Sequence, residues 1–209
     1  MPDHIVSAFD ADLKEVGRKV VEMGGQAERL VADAVNALIR RDTVAGDLRD
    51  LVASIRIASD LERIGDLAKN VGKRVLAIEG EYHPQELVRG VEHMSELVLE
   101  QLKEVLDAYA GKDQAKAIEV WNRDSGIDTM YTSLFRELLT YMMEDPRNIS
   151  VCTHLLFCAK NIERIGDHAT NIAETVFYMV SGQMLSDERP KADSTSETTV
   201  AFPGHSVQG

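Results

Sequence analysis

The sequence predicts an all-α protein: a tandem repeat of three-helix bundles in which the first copy lacks its second helix. Three observations carry this. Leu, Val, Ala, Glu, Asp, Lys and Arg dominate while aromatics are limited to one Trp, five Tyr and five Phe, a balance that favours helices over strands. The five prolines fall at positions 2, 84, 146, 190 and 203, leaving room for long uninterrupted helices. One phrase occurs twice: LERIGDLAKNV at 61–71 returns as IERIGDHATNI at 162–172, offset by 101 positions.

The elements follow in order. Over 9–41, Leu13, Val16, Val20, Met23, Ala27, Leu30, Ala34 and Ala37 step by threes and fours, which is helical spacing; Gly24-Gly25 interrupts it. A second helix is expected over 47–79, with Asp47 as its N-cap. Its first half carries a stripe of Leu48, Leu51, Val52 and Ile55. Its second half carries an opposed stripe of Ile57, Leu61, Ile64, Ala68, Val71 and Val75. Gly80, His83 and Pro84 break the chain. A third helix over 86–110 is carried by Leu87, Val91, Met94, Val98, Leu102, Val105 and Tyr109, and Gly111-Lys112-Asp113 turns it. A fourth over 114–144 shows Val120, Ile127, Tyr131, Leu134, Leu138 and Tyr141, and Asp145-Pro146 stops it. A fifth over 148–181 has the core stripe Cys158, Ile162, Ile165, Ala169, Ile172 and Val176, ending at Ser181-Gly182. From Ser186 the chain is polar, and a disordered tail is expected.

The repeat extends beyond the shared phrase. Met23–Asp42 aligns with Met94–Asp113 at an offset of 71, against 101 for the phrase itself, so the second half holds 30 residues that the first lacks. A 30-residue helix is about 45 Å long, and the 114–144 helix accounts for the difference. The organisation is therefore 1–82 as a shortened first repeat, 83–183 as a three-helix second repeat, and 184–209 as tail. Two amphipathic helices rarely close a core, so the first half needs a further partner.

Charge and composition exclude several classes. The net charge is −12 with no basic patch, unlike a nucleic-acid binder. No apolar run approaches the roughly 20 residues of a membrane span, and the acidic N-terminal stretch is unlike a signal peptide; a cytoplasmic protein is expected. Cys152 and Cys158 fit no zinc pattern and stand about 240° apart on a helix, which reads as two reduced structural thiols. No HExxH, P-loop or GxSxG motif occurs.

The chemistry-bearing residues are acids spaced i and i+4. Glu62 with Asp66, and Glu163 with Asp167, each lie on one helix face, and Asp124 with Asp128 adds a third pair. A single such pair is ordinary surface charge, with Arg63 and Arg164 at hand for weak salt bridges. The doubling, with Gly65 and Gly166 in helix interiors at about 1 kcal/mol each, asks for a further reason such as close helix approach. Packing of the last two helices side by side brings Asp124, Asp128, Glu163 and Asp167 toward one another. Four hard oxygen donors suit Mg, Ca, Mn or ferric iron better than structural zinc. Asn70 and Asn171, one turn on, are supporting candidates. Glu62 and Asp66 have only Asp60 or another subunit to complete a site. His168 is expected to be an exposed helix histidine. The ferritin-like Glu-x-x-His element is absent, which counts against a redox di-iron bundle.

The doubled phrase, the opening AFDADLKEV…VVEMGGQAE and the paired duplication closely resemble the PhoU family of accessory regulators of phosphate-specific transport. The resemblance implies a cytoplasmic protein of two three-helix bundles, commonly a homodimer, without catalytic residues. It implies docking onto the phosphate ABC transporter ATPase and the sensor histidine kinase PhoR, repression of the phosphate-starvation response, and neither nucleic-acid binding nor membrane insertion. It also implies a divalent or ferric ion (Fe, Mn, Mg or Zn) held by Glu62/Asp66, Asp124/Asp128 and Glu163/Asp167. The departure is the missing second helix of the first bundle, which implies an asymmetric protein with its stronger metal site in the second half. Two other readings are a metal-dependent hydrolase or oxidase using the same carboxylates, and a metal-free helical scaffold.

Overall fold

The computed structural model describes residues 45–78 and 85–185, with five isolated helical positions before them: Arg18, Glu22, Gly25, Arg29 and Ala32. The rest of the 9–41 stretch and the tail from Ser186 lie outside the described residues. Among the described residues, four α-helices have defined bounds: α1 (Ala45–Ala77), α2 (Gln85–Gly111), α3 (Gln114–Glu144) and α4 (Ile149–Ser181), with a 3-10 turn at Pro146–Asn148. No strand occurs among the described residues. The expected bounds hold to within two residues. Because α1 begins at Ala45, Asp47 falls inside the helix instead of capping it.

The connections follow from local chemistry. At the α2–α3 corner Lys112 takes the left-handed conformation (φ 50°), and the Asp113 N–H returns to the Ala108 carbonyl at 2.9 Å. The Asp113 carboxylate then caps α3 by accepting the Lys116 N–H at 3.0 Å. Before α4, Asp145 accepts the Arg147 N–H at 3.0 Å, and the Arg147 guanidinium beside it holds its carboxyl below the usual carboxylate range. The end of α4 is set by Gly182 (φ 71°), whose N–H bonds the Tyr178 carbonyl at 2.9 Å.

Helices α2, α3 and α4 form an up-down-up bundle. Gly90 of α2 lets Leu134 of α3 approach to within 2.8 Å of where a Cβ would stand. Arg123 and Glu104 pair further along the α2–α3 seam, and the Trp121 indole N–H donates to Glu174 at 3.1 Å across α3–α4. Helix α4 is central and touches the other three. Helix α1 runs antiparallel along it: Arg49 lies at Gly182, Asp60 meets His168, and Arg74 stacks over the Phe157 ring at 4.4 Å. The described helix of the first half thus finds its partner in the second half.

The core is one apolar cluster that includes Met94, Val98, Val105, Val120, Leu138, Ile172 and Val176. Each such buried side chain contributes roughly 1.5–3 kcal/mol relative to exposure. The expected stripe of α4 is buried throughout, Cys158 included, and Cys152 and Cys158 are free thiols whose pKa values burial raises. The stripe of α1 differs from expectation. Ile57 and Ile64 are buried, but Ala68 and Val75 are exposed and Leu67 is buried instead. Docking on α4 alone lets α1 choose a narrower face, shifted by one residue in its second half. Its other stripe, with Leu48, Val52 and Ile55, is exposed.

Candidate functional site

Antiparallel packing of α3 on α4 brings the second-half acids together. Asp124 is 1% exposed, and Asp128 and Glu163 are each 4% exposed. Asp167 is half-buried. The Lys160 ammonium, one turn before Glu163, donates to Glu163 Oε1 at 2.9 Å and sits 4.7 Å from the centroid of the Tyr131 ring on α3. The other oxygen, Oε2, is buried without a hydrogen-bond partner. Burial, first, and the nearby Asp167 and Asp128 charges push the Glu163 pKa up, against the pull of Lys160.

One turn further, Asp124 belongs to a buried polar chain. The Thr170 hydroxyl lies 2.9 Å from Asp124 Oδ1, and the Gln101 amide of α2 donates to the same hydroxyl at 3.0 Å. Gly166 makes this possible: a Cβ there would stand 3.3 Å from both Gln101 Oε1 and Ile127 Cδ1. The expected need for close helix approach is met at Gly166 by α2 and α3 together. Lys160, Thr170 and Gln101 were not singled out from the sequence. A signal was present for two of them, because the first copy has Ser59 and Lys69 where the second has Lys160 and Thr170.

The first copy of the phrase stands in a different environment. Glu62, Asp66 and Asn70 are exposed on α1, and Arg63 pairs with Glu62 at 3.5 Å. Asn171, the counterpart of Asn70, is half-buried. His168 is not the exposed histidine expected: its Nδ1 lies 2.8 Å from Asp60 Oδ1, and both side chains are less than one-fifth exposed. The first and second halves are joined there, because α1 covers that side of α4. Asp60 is thus engaged by His168.

The donor chemistry of the second-half cluster matches a hard cation. Asp128 and Asp167 lie within electrostatic reach of Glu163, and one buried Glu163 oxygen lacks a donor. Among the described residues, however, no three His, Cys, Asp or Glu side chains already converge as a coordination shell. The cluster is suited to a cation by chemistry, and its buried glutamate is paired with the Lys160 ammonium. No helix among the described residues is long and apolar enough to cross a membrane.

The PhoU domain family model matches residues 1–75 and 91–176, one match in each half. A Rhizobium meliloti protein named phosphate-specific transport system accessory protein PhoU homolog is 54% identical over 92% of this chain and 95% of its own length. That alignment runs over 226 residues, so about 34 of its positions have no counterpart in this 209-residue chain, close to the 30-residue shortfall read from the repeat. A Caulobacter vibrioides protein of the same name is 44% identical over 94% of this chain and all of its own length. The crystal structure of PhoU from Pseudomonas aeruginosa superposes with a TM-score of 0.66 at 36% identity, over 84% of this chain and all of that one. By both halves of its sequence and by its fold, this chain belongs to the PhoU family.

Proposed function

We propose that this chain is a negative regulator of phosphate transport and of the phosphate-starvation two-component response, acting as a cytoplasmic homodimer. The observation that carries the reading is the near full-length relationship, at 54% identity, to a protein named as an accessory of phosphate-specific transport. The regulator acts by occupancy, docking onto the transporter ATPase and the sensor kinase PhoR and biasing their conformations without covalent chemistry. The exposed acids Glu62 and Asp66 suit a basic partner surface, whereas the buried pairs are not available for docking.

The same reading gives the second-half carboxylates a divalent or ferric ion, held through Glu163 with Asp128 and Asp167. Such an ion supplies charge neutralisation in a buried acidic site. Asp124, bonded to Thr170, serves as support for the α3–α4 seam. Elemental analysis of the purified wild type finds retained metal and Glu163→Ala finds less; equal metal in the two overturns this assignment.

The regulatory role is tested by deleting the gene and reading a phosphate-starvation reporter in high phosphate. Derepression that a plasmid copy reverses is expected. Unchanged reporter output overturns the proposal.

A further inference from the structure

Resting on the reading that the second-half acids take up a cation, we propose that Lys160 is an internal counter-ion competing with that cation for Glu163. Ammonium and metal are alternative occupants of one carboxylate. Lys160 Nζ holds only Oε1 of Glu163, at 2.9 Å, and leaves Oε2 buried without a donor. A single ammonium N–H therefore under-coordinates the carboxylate, and a hard ion that engages both oxygens satisfies it better. Two cations on one buried carboxylate repel strongly in a low-dielectric setting, so one must leave.

Lys160 is built to be the one that leaves. Its side chain is 40% exposed while that of Glu163 is 5% exposed, so Lys160 borders on water where Glu163 does not. It also sits over the face of Tyr131, 4.7 Å from the ring centroid, a contact that holds a charge without fixing one geometry. A flexible four-carbon stem carrying a strongly hydrated point charge moves back to water readily. The device is confined to the second half, since the first copy carries Ser59 at this position.

The test uses the full chain, stripped with chelator and titrated with Mn²⁺ by calorimetry. Lys160→Met keeps the apolar stem and removes the charge. It is expected to bind Mn²⁺ about tenfold more tightly than wild type, a change of about 1.4 kcal/mol. Lys160→Gln gives the same direction should methionine disturb the packing, and Lys160→Arg, which keeps the charge, stays within about threefold of wild type. Glu163→Gln abolishes binding with Lys160 present or replaced. Wild type that binds Mn²⁺ while Lys160→Met and Lys160→Gln bind no more tightly overturns the competition and leaves the metal assignment standing. Absence of binding in wild type and in both neutral variants overturns both.

Discussion

Replacing Thr170 by valine isolates the buried polar chain that locks α2, α3 and α4 together. Valine matches threonine in shape, and Thr170 is fully buried, so packing is conserved and only the hydroxyl is removed. That hydroxyl has one proton. It lies 2.9 Å from Asp124 Oδ1 and 3.1 Å from the Gly166 carbonyl, and it accepts from the Gln101 amide at 3.0 Å. Two bonds are lost at once. A bond to a carboxylate is worth roughly 1.5–3 kcal/mol, and a stranded buried amide costs about 1–3 kcal/mol. Gln101 has little means of compensating, because its Oε1 is already without a partner and is packed so tightly on α4 that a Cβ at Gly166 would stand 3.3 Å from it. Relaxation recovers part of the sum, leaving a predicted loss of about 2–4 kcal/mol. Thr170→Ser keeps the hydroxyl and deletes one methyl, for about 1 kcal/mol. Urea unfolding followed by far-UV dichroism and by the fluorescence of Trp121 measures both. Valine costing no more than serine would refute the claim that this hydroxyl joins the three helices.

Four further expectations follow from the same geometry. Gly182→Ala forces an L side chain into a left-handed position (φ 71°) against the Arg49 guanidinium, and the urea midpoint should fall by the equivalent of about 1–2 kcal/mol. A midpoint at the wild-type value contradicts the C-cap assignment. The Asp60–His168 contact predicts a double-mutant coupling of about 1 kcal/mol between Asp60→Asn and His168→Gln; simple additivity would deny its role in seating α1 on α4. Burial raises the Cys152 and Cys158 pKa values, so both thiols stay protonated near neutral pH and resist a thiol-disulfide dye until urea unfolds the chain. Rapid labelling of either in native protein would show that α4 opens. Glu62→Ala, on an exposed face, should shift stability by less than about 0.5 kcal/mol, and a larger loss would mean that its face is covered.

Much of the architecture was legible from one chain of residues. The periodic apolar spacing marked α1 to α4 to within two residues, because a long amphipathic face can bury itself in few other ways. The two offsets predict a helix missing from the first repeat, because a repeat must keep its internal distances. Burial was legible only where every neighbour is present. Glu62 and Glu163 stand in the same five-residue phrase, yet one is exposed and the other 4% exposed, since α2 and α3 cover α4 and leave α1 open on the corresponding side. The exchange of Ala68 for Leu67 in the stripe of α1 has the same origin: periodicity fixes a face, and the partner selects its width. Long-range polar partners were invisible for a different reason. Gln101, Asp124 and Thr170 come from three helices, and Asp60 meets His168 across 108 positions, so no local pattern pairs them. The clue lay in the differences between the copies. Ser59, Leu67 and Lys69 of the first copy stand where the second has Lys160, His168 and Thr170, each of which has a polar partner.

Regulation by docking without chemistry is tested most directly by measuring binding between the purified chain and the phosphate transporter ATPase. Saturable association near micromolar strength, about −8 kcal/mol, is predicted, weakened by Glu62→Lys with Asp66→Lys and accompanied by no covalent change in either protein. Absence of association with a folded, active ATPase would contradict the account.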